Sequence, residues 1–433
     1  MTWEIEWVRV IFLALWFGMI VGAASLWRRW RHPPPELTRK AVHLAGGMTS
    51  AFFPLLFQSP HSVVLLCFLS VTLMMLGKRG GGLGAVHGVD RKTYGAFYFP
   101  VAVAVLFWLG HGKLVFYSIA ILVMTFADAF ASLVGQSYGV FSYDVHGDKK
   151  TLEGSVAFGV VTFLCIHIAL LLLTPLGRAE CVLISLIVSL LVTGLESISF
   201  KGSDNLFVPF LTFYILNKMT LKSLDEIILQ TGVLGILSAG VFALSVRTPM
   251  LRGSGAIGLI LLLYGAWSLC GFPWALPLIL SAVILKGIYL VHGKKSDPAP
   301  SALGLWQFLQ AGITPFIVIF LANSVKDYQR LYIPFLAGIF ASTVLLSRRV
   351  VQQPRSAWVA SAWLLPAIAV PLILFSRGQA PVGILWVILS TLGGTFLDGA
   401  IRSFWVRART DPPDWLAPGV AFFSVLVCLV FTY

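Results

Sequence analysis

The apolar residues of this chain fall in runs of roughly 17–22, separated by short polar loops, the length that carries an α-helix across a bilayer core. Lipid offers backbone N–H and C=O groups no partner, so such a run must satisfy its own hydrogen bonds as a helix. The runs are rich in Leu, Ile and Val without strict alternation, which argues against barrel strands. Of 433 residues, 58% are hydrophobic and 11% charged, and the mean hydropathy is +0.88. Ordinary globular chains carry about 25% charged residues, so a water-soluble class is excluded. The expected fold is an all-α polytopic membrane protein with about 14 to 16 transmembrane helices in two helical halves.

A net charge of +13 would suggest nucleic acid in a soluble protein. Here the charges sit in loops beside the spans, where anionic lipid headgroups and the positive-inside bias account for them without a nucleic-acid partner. With the N-terminus outside, most of the 31 Lys and Arg fall in odd-numbered loops, including Arg28, Arg29, Arg31, Arg39, Lys40, Lys149, Lys150, Arg348 and Arg349. That face is read as cytoplasmic. The first run, from about Val10 to Leu26, follows Glu4 and Glu6 and precedes the arginines, the reverse of a signal peptide, and reads as a retained span. The five cysteines are scattered without CxxC spacing and suggest neither a zinc site nor a disulfide framework.

Four polar patches in the first half share the basic face. Arg39-Lys-Ala-Val-His-Leu-Ala-Gly-Gly47 opens the second span; alone, it reads equally as an interfacial anchor. Asp90-Arg-Lys-Thr-Tyr-Gly95 follows a glycine-rich stretch, Gly77 to Gly84, that matches no phosphate-loop signature and reads by itself as a flexible basic loop. The third patch is the most informative. It places Asp128 inside an apolar helix, about two turns before its cytoplasmic end. An intramembrane carboxylate is costly unless it meets a cation. Ala127, Ala129, Ala131, Gly135 and Gly139 leave room for a neighbouring helix or a ligand, and Asp148-Lys-Lys-Thr-Leu-Glu-Gly154 adds Lys149, Lys150 and Glu153. Two acids and two lysines can hold a magnesium triphosphate, oxygens for the metal and ammonium groups for the phosphates. A charge-paired packing site explains the same residues. The fourth patch holds Glu196, within a span, and Asp204-Asn205, which opens the next helix and is sufficiently explained as a cap. Glu196 needs a partner of its own. Together the patches suit transfer of a phosphoryl group from a cytosolic nucleotide to a lipid hydroxyl.

At these residues the chain resembles the dolichol kinase/phytol kinase family, itself similar to the CDP-diacylglycerol-forming cytidylyltransferases. The resemblance runs over roughly residues 36–215. It rests on Arg39-Lys40-x-x-His43 with Gly46-Gly47, Arg91-Lys92-x-Tyr-Gly95 with Tyr98-Phe-Pro100, and Ala127-Asp-Ala with Gly135 and Gly139. Lys150-Thr-Leu-Glu-Gly154 and Glu196 with Asp204-Asn205 complete it. It implies magnesium-dependent phosphorylation of an isoprenoid alcohol, with CTP or another nucleoside triphosphate as donor. By motif, Asp128, Glu153 and Lys150 would be catalytic, and Asp128, Glu153 and Asp204 would hold the metal. Lys149, Gly135, Gly139, Arg91, Lys92, Arg39, Lys40, His43 and Asn205 would lie against the nucleotide.

The second half resembles the family of plant phytyl-phosphate kinase, through Arg252-Gly-Ser-Gly-Ala-Ile-Gly258, Gly271-Phe-Pro-Trp-Ala-Leu-Pro277 and Thr395-Phe-Leu-Asp-Gly399. Where that family has an acidic stretch, this chain has Ala341-Ser-Thr-Val-Leu-Leu-Ser347, without a carboxylate. The expected organisation is a kinase-like membrane domain over 1–220 and a second helical membrane domain over 221–433, acting as scaffold, lipid-binding module or decayed partner domain. Two competing functions are cytidylyl transfer to a lipid phosphate and multi-span transport; the latter calls for charges lining a midplane path through both halves.

Overall fold

A computed structural model describes residues 2–79, 94–110, 112–145, 147–246, 251, 253–292 and 305–351, with short pieces at 370–371, 385, 387–389 and 421–426. The expected Arg91, Lys92, Arg252 and Thr395–Gly399 lie outside the described residues. The helices are α1 (Thr2–Arg31), α2 (Pro35–Ala51), α3 (Phe53–Leu56), α4 (Pro60–Arg79), α5 (Gly95–Leu109), α6 (Leu114–Tyr138), α7 (Leu152–Leu173), α8 (Arg178–Ile198), α9 (Asp204–Met219), α10 (Leu224–Val246), α11 (Ser254–Cys270), α12 (Phe272–His292), α13 (Leu305–Val325) and α14 (Tyr328–Val351). Among the described residues, six helices are long and apolar enough to cross a membrane: α1, α6, α7, α8, α10 and α12. The protein is an all-α polytopic integral membrane protein.

Exposure supports the same conclusion from the side chains. On α1, Val10 and Leu13 are buried while Ile11, Phe12 and Leu15 are exposed; on α7, Phe158 and Ile166 are buried while Val156, Val160 and Leu172 are exposed. A helix apolar on both its packed and its open faces belongs in lipid, because water would penalise the open face.

The chain forms two compact units, Met1–Thr231 and Gly232–Tyr433. In the first, a core of Val10, Leu13, Phe53, Phe57, Leu66, Leu106, Tyr117 and Ile121 joins α1, α3, α4, α5 and α6. Glu6, buried at the start of α1, accepts from the Gln58 and Ser59 backbone N–H groups at 3.0 and 2.9 Å and from the Ser62 hydroxyl. This fastens α1 to the turn before α4.

An element that sequence reasoning did not foresee interrupts the helices. Residues Ser142–Val145 (β1) and Asp148–Thr151 (β2) form an antiparallel hairpin, with Tyr143 opposite Lys150 and Asp144 opposite Lys149. Gly147, at φ +86°, supplies the left-handed turn residue that a tight hairpin requires. Its N–H donates to Asp144 Oδ1 at 3.1 Å.

The second unit has its own core, including Leu259, Leu263, Trp274, Ala275, Phe335 and Leu336. Trp274 lies against Phe335 with ring centroids 4.4 Å apart, and the Tyr332 hydroxyl donates to the Pro273 carbonyl at 3.0 Å. One residue, Gly271, separates α11 from α12; its φ of +88° makes so short a link possible. The stretch Ala341–Ser347 lies in α14.

Candidate active site

The site begins with close approach of two helices. Lys40, His43 and Gly47 recur at spacings of three and four along α2, which puts them on one face. At Gly47 the space a Cβ would take is filled by Thr125 of α6, whose Oγ1 would stand only 2.0 Å away. Glycine at this point therefore lets α2 lie against α6. Further along the same seam, the Tyr117 hydroxyl donates to the Ser50 carbonyl at 2.9 Å and the Ser118 hydroxyl to the Ala51 carbonyl at 2.8 Å. With this register fixed, Lys40 reaches Asp128: Nζ lies 2.5 Å from Oδ2 and 3.2 Å from the Asp128 carbonyl oxygen. Both side chains are largely withdrawn from solvent, at 6% and 17% exposure. Lys40 is the cation that the intramembrane carboxylate required.

His43 completes this part of the site. Its Nε2 stands 3.6 Å from Asp128 Oδ2, is buried, and has no hydrogen-bond partner among the described residues. Its ring packs edge-on against Phe99 of α5, with centroids 5.0 Å apart. Arg39 turns toward Glu36 instead, at 2.5 Å.

The hairpin supplies a second pair. Along β2, successive side chains point to opposite faces: Lys149 is exposed, while Lys150 turns inward and its Nζ lies 2.6 Å from Glu196 Oε1, also donating to the Glu196 carbonyl oxygen. Lys150 is thus the partner that Glu196 needed. Burial would lower the Lys150 pKa, but the charges of Glu196 and Asp204 outweigh it and hold the ammonium above the ordinary lysine value. Glu196 sits in the last turn of α8, with Oε2 buried and unpartnered among the described residues. Tyr143, across the hairpin from Lys150, meets Ser155 of α7 at 2.8 Å. Burial pushes its phenol up, and the Glu196 charge adds to the effect.

The loop before α9 closes the group. Lys201 and Gly202 both have positive φ, at 52° and 81°, and the Lys201 N–H donates to Asp148 Oδ2 at 2.6 Å. The Tyr94 N–H donates to the Lys201 carbonyl at 3.0 Å. These two bonds tie the hairpin, the start of α5 and the start of α9 together. Asp204 Oδ1 accepts from the Asn205 N–H at 3.1 Å, and the Asn205 amide donates to the Gly202 carbonyl at 3.3 Å. Asn205 therefore shapes the loop locally. Asp204 acts electrostatically on Arg39, Lys150 and Glu196, which joins the two pairs in one field.

The sequence-derived residues divide accordingly. Lys40 and His43 meet Asp128, Lys150 meets Glu196, and Asp204 lies within electrostatic range of both pairs. Gly135 and Gly139 do not line open space: a Cβ on either would run into Thr151, at 2.7 Å from Oγ1 and 2.6 Å from Cγ2. They make room for the start of α7, where the Thr151 hydroxyl caps the helix by accepting from the Gly154 N–H at 3.1 Å. Glu153 sits elsewhere. Ser155 faces Tyr143, and two helical residues turn the direction by about 200°, so Glu153 looks out on the other side of α7, where its Oε1 accepts from the Phe141 N–H at 3.1 Å.

A divalent cation would find donors in Asp128, Asp204 and Glu196 Oε2. Among the described residues no group of three His, Cys, Asp or Glu side chains is placed to hold a metal ion. Magnesium commonly takes only one or two carboxylates and completes its shell with substrate phosphates and water, so this donor set fits an ion arriving with a nucleotide.

Buried lysine–carboxylate pairs near the ends of packed apolar helices define a polytopic membrane protein with a charged cluster inside its first unit. A protein named phytol kinase from Synechocystis sp. is 30% identical over 205 residues, covering 47% of this chain and 88% of that relative. The chain belongs to the phytol kinase family. No protein-family model matches it, and no solved structure does.

Proposed function

We propose that this protein is a membrane kinase that transfers the γ-phosphate of CTP, or of another nucleoside triphosphate, to an isoprenoid alcohol such as phytol or a polyprenol. The observation that carries this reading is the pair of buried ion pairs, Lys40–Asp128 and Lys150–Glu196, in a chain of the phytol kinase family. Lysines held charged in a site shielded from water stabilise the charge on a transferring phosphoryl group far better than exposed ones. The alcohol oxygen bonds to the γ-phosphorus as the bond to the β–γ bridging oxygen breaks, its proton passes to a carboxylate of the site, and the nucleoside diphosphate leaves. Lys40 and Lys150 contact the phosphates, exchanging part of their carboxylate contact for phosphate oxygens. One or two of the carboxylates Asp128, Asp204 and Glu196 would hold magnesium, which would neutralise charge on the phosphates. The basic face is cytoplasmic in this reading, where the nucleotide is available, while the alcohol's chain stays in the bilayer.

The test is the purified full chain with CTP labelled at the γ or α position, magnesium and a panel of isoprenoid alcohols. Labelled alkyl phosphate and CDP are expected, with loss of product in Asp128→Asn. Release of pyrophosphate with a cytidylylated lipid would establish the transferase alternative. Equal background from wild type and Asp128→Asn on every alcohol and nucleotide would overturn the kinase reading.

A further inference from the structure

Four helices of the second unit surround a cavity of about 70 Å³. Helix α11 packs on α12 and α13, and α14 packs on the same two, so the four form a ring. The cavity lies inside it, with Leu259 of α11, Leu278 and Ser281 of α12, Pro315 of α13 and Ser342 of α14 on the wall. The space between helices of a bundle is a usual place for a small-molecule site. Among the described residues, every side chain on this wall is uncharged.

Ser342 makes this more than a packing void. Hydroxyls within a helix ordinarily donate to the carbonyl one turn back, as Thr343 does to Ile339 at 2.7 Å and Ser324 to Phe320 at 2.8 Å. Ser342 does not. The residue is 5% exposed, and its Oγ is buried without a hydrogen-bond partner among the described residues. A shielded hydroxyl left unpaired costs free energy, which an acceptor in the cavity would recover. Charge, depth and size then limit the occupant. Burying a phosphate or carboxylate against a wall without a cation costs far more than one hydroxyl returns. Six residues separate Ser342 from Arg348, about 9 Å along α14, so the hydroxyl lies inside the apolar layer and not among charged headgroups. The volume is that of about two water molecules, room for one oxygen and the carbon that bears it, with the rest of the chain leaving between the helices.

We propose that the α11–α14 ring is a binding site for an uncharged lipid, whose terminal oxygen, a hydroxyl or an ester carbonyl, accepts a hydrogen bond from Ser342. Phosphorylated lipids are excluded. None of the residues of the Lys40–Asp128 and Lys150–Glu196 site lies in this ring, so binding here does not depend on the kinase reading.

The experiment uses the purified full chain in detergent, without nucleotide. Hexadecanol carrying a diazirine is photolysed on it, with hexadecanol, methyl palmitate and hexadecyl phosphate as competitors, and the labelled peptides are mapped. Label is expected on the α11–α14 helices, competed by an uncharged lipid and not by the phosphate. Competition by the alcohol alone identifies the oxygen as a hydroxyl, and competition by alcohol and ester alike identifies a site for either oxygen. In Ser342→Ala, which removes the donor and keeps the wall, Kd for the probe should rise about threefold to tenfold, the worth of one hydrogen bond. Thermal unfolding supplies a second measurement. Without added lipid, Ser342→Ala should be at least as stable as wild type, since it loses only an unpaired hydroxyl; saturating hexadecanol should raise the Tm of wild type more than that of the variant. A water held by Ser342 gives the opposite order without lipid, with Ser342→Ala unfolding first. That order, label elsewhere or none, equal competition by hexadecyl phosphate, or an unchanged Kd in Ser342→Ala overturns the site.

Discussion

Removing one member of the Lys40–Asp128 pair leaves the other charge stranded, and the geometry sets the size of the effect. Lys40 Nζ contacts both the Asp128 carboxylate and its carbonyl oxygen, at 2.5 and 3.2 Å, with side-chain exposures of 6% and 17%. Breaking such a buried pair from one side costs about 3–5 kcal/mol, whereas replacing both partners by apolar residues of similar size is often neutral. For a unit of some 230 residues, each kcal/mol moves Tm by about 2–4 °C, so Lys40→Met or Asp128→Leu alone should lower Tm by about 6–20 °C. The double variant Lys40→Met/Asp128→Leu should recover most of that loss. Thermal unfolding in detergent, read by tryptophan fluorescence, measures both effects. Kinase activity should behave differently: the double variant, though stable, should remain at least about a hundredfold below wild type, because phosphate and metal contacts are gone. Single variants as stable as wild type would refute the buried-pair argument. A stable double variant with full activity would refute the pair's place in the active site.

Other expectations follow from particular contacts. Gly47→Val should push α2 from α6 and abolish activity, with Thr125→Gly restoring part of it, since Thr125 fills the space that the new side chain needs; a full-activity Gly47→Val variant would contradict the seam. Lys150→Met should raise the nucleotide KM and destabilise the hairpin end, detectable as faster hydrogen exchange in 142–151. The Lys150 pKa is raised on folding, so its stabilising contribution is complete below the ordinary lysine value and is lost only as pH rises through the higher folded value. The Tm difference between wild type and Lys150→Met should therefore be flat from pH 7 to 9. Glu6→Ala removes the acceptor for three donors and should cost about 1–3 kcal/mol with kcat unchanged, because the α1–α4 latch contains none of the site residues.

Much of this protein is written in one dimension. Hydropathy alone requires membrane-spanning helices, since lipid leaves an apolar run no other way to satisfy its backbone. An acid inside such a run declares that a cation must be near, which is why Asp128 and Glu196 stand out in the sequence. Their partners were not legible, because Lys40 lies 88 positions from Asp128 and Lys150 lies 46 from Glu196, and no local spacing connects them. Only packing pairs them: Gly47 sets the depth of α2 on α6, and the hairpin turns Lys150 inward while Lys149 faces out. The hairpin itself escaped a reading tuned to helices, since its strands are only four residues each and carry too little pattern to announce themselves. Glycines 135 and 139, which by sequence admit either a neighbouring helix or a ligand, admit Thr151 at the start of α7. Glu153 moved furthest. Beside Lys150 in the chain, it belongs by sequence to the phosphate site; the rotation of a helix places it on the opposite side of α7, where it accepts from the Phe141 N–H. Composition and periodicity determine that a segment spans the membrane, because each depends on the segment alone. Which charges meet depends on the register between segments, and that is decided only where their surfaces pack.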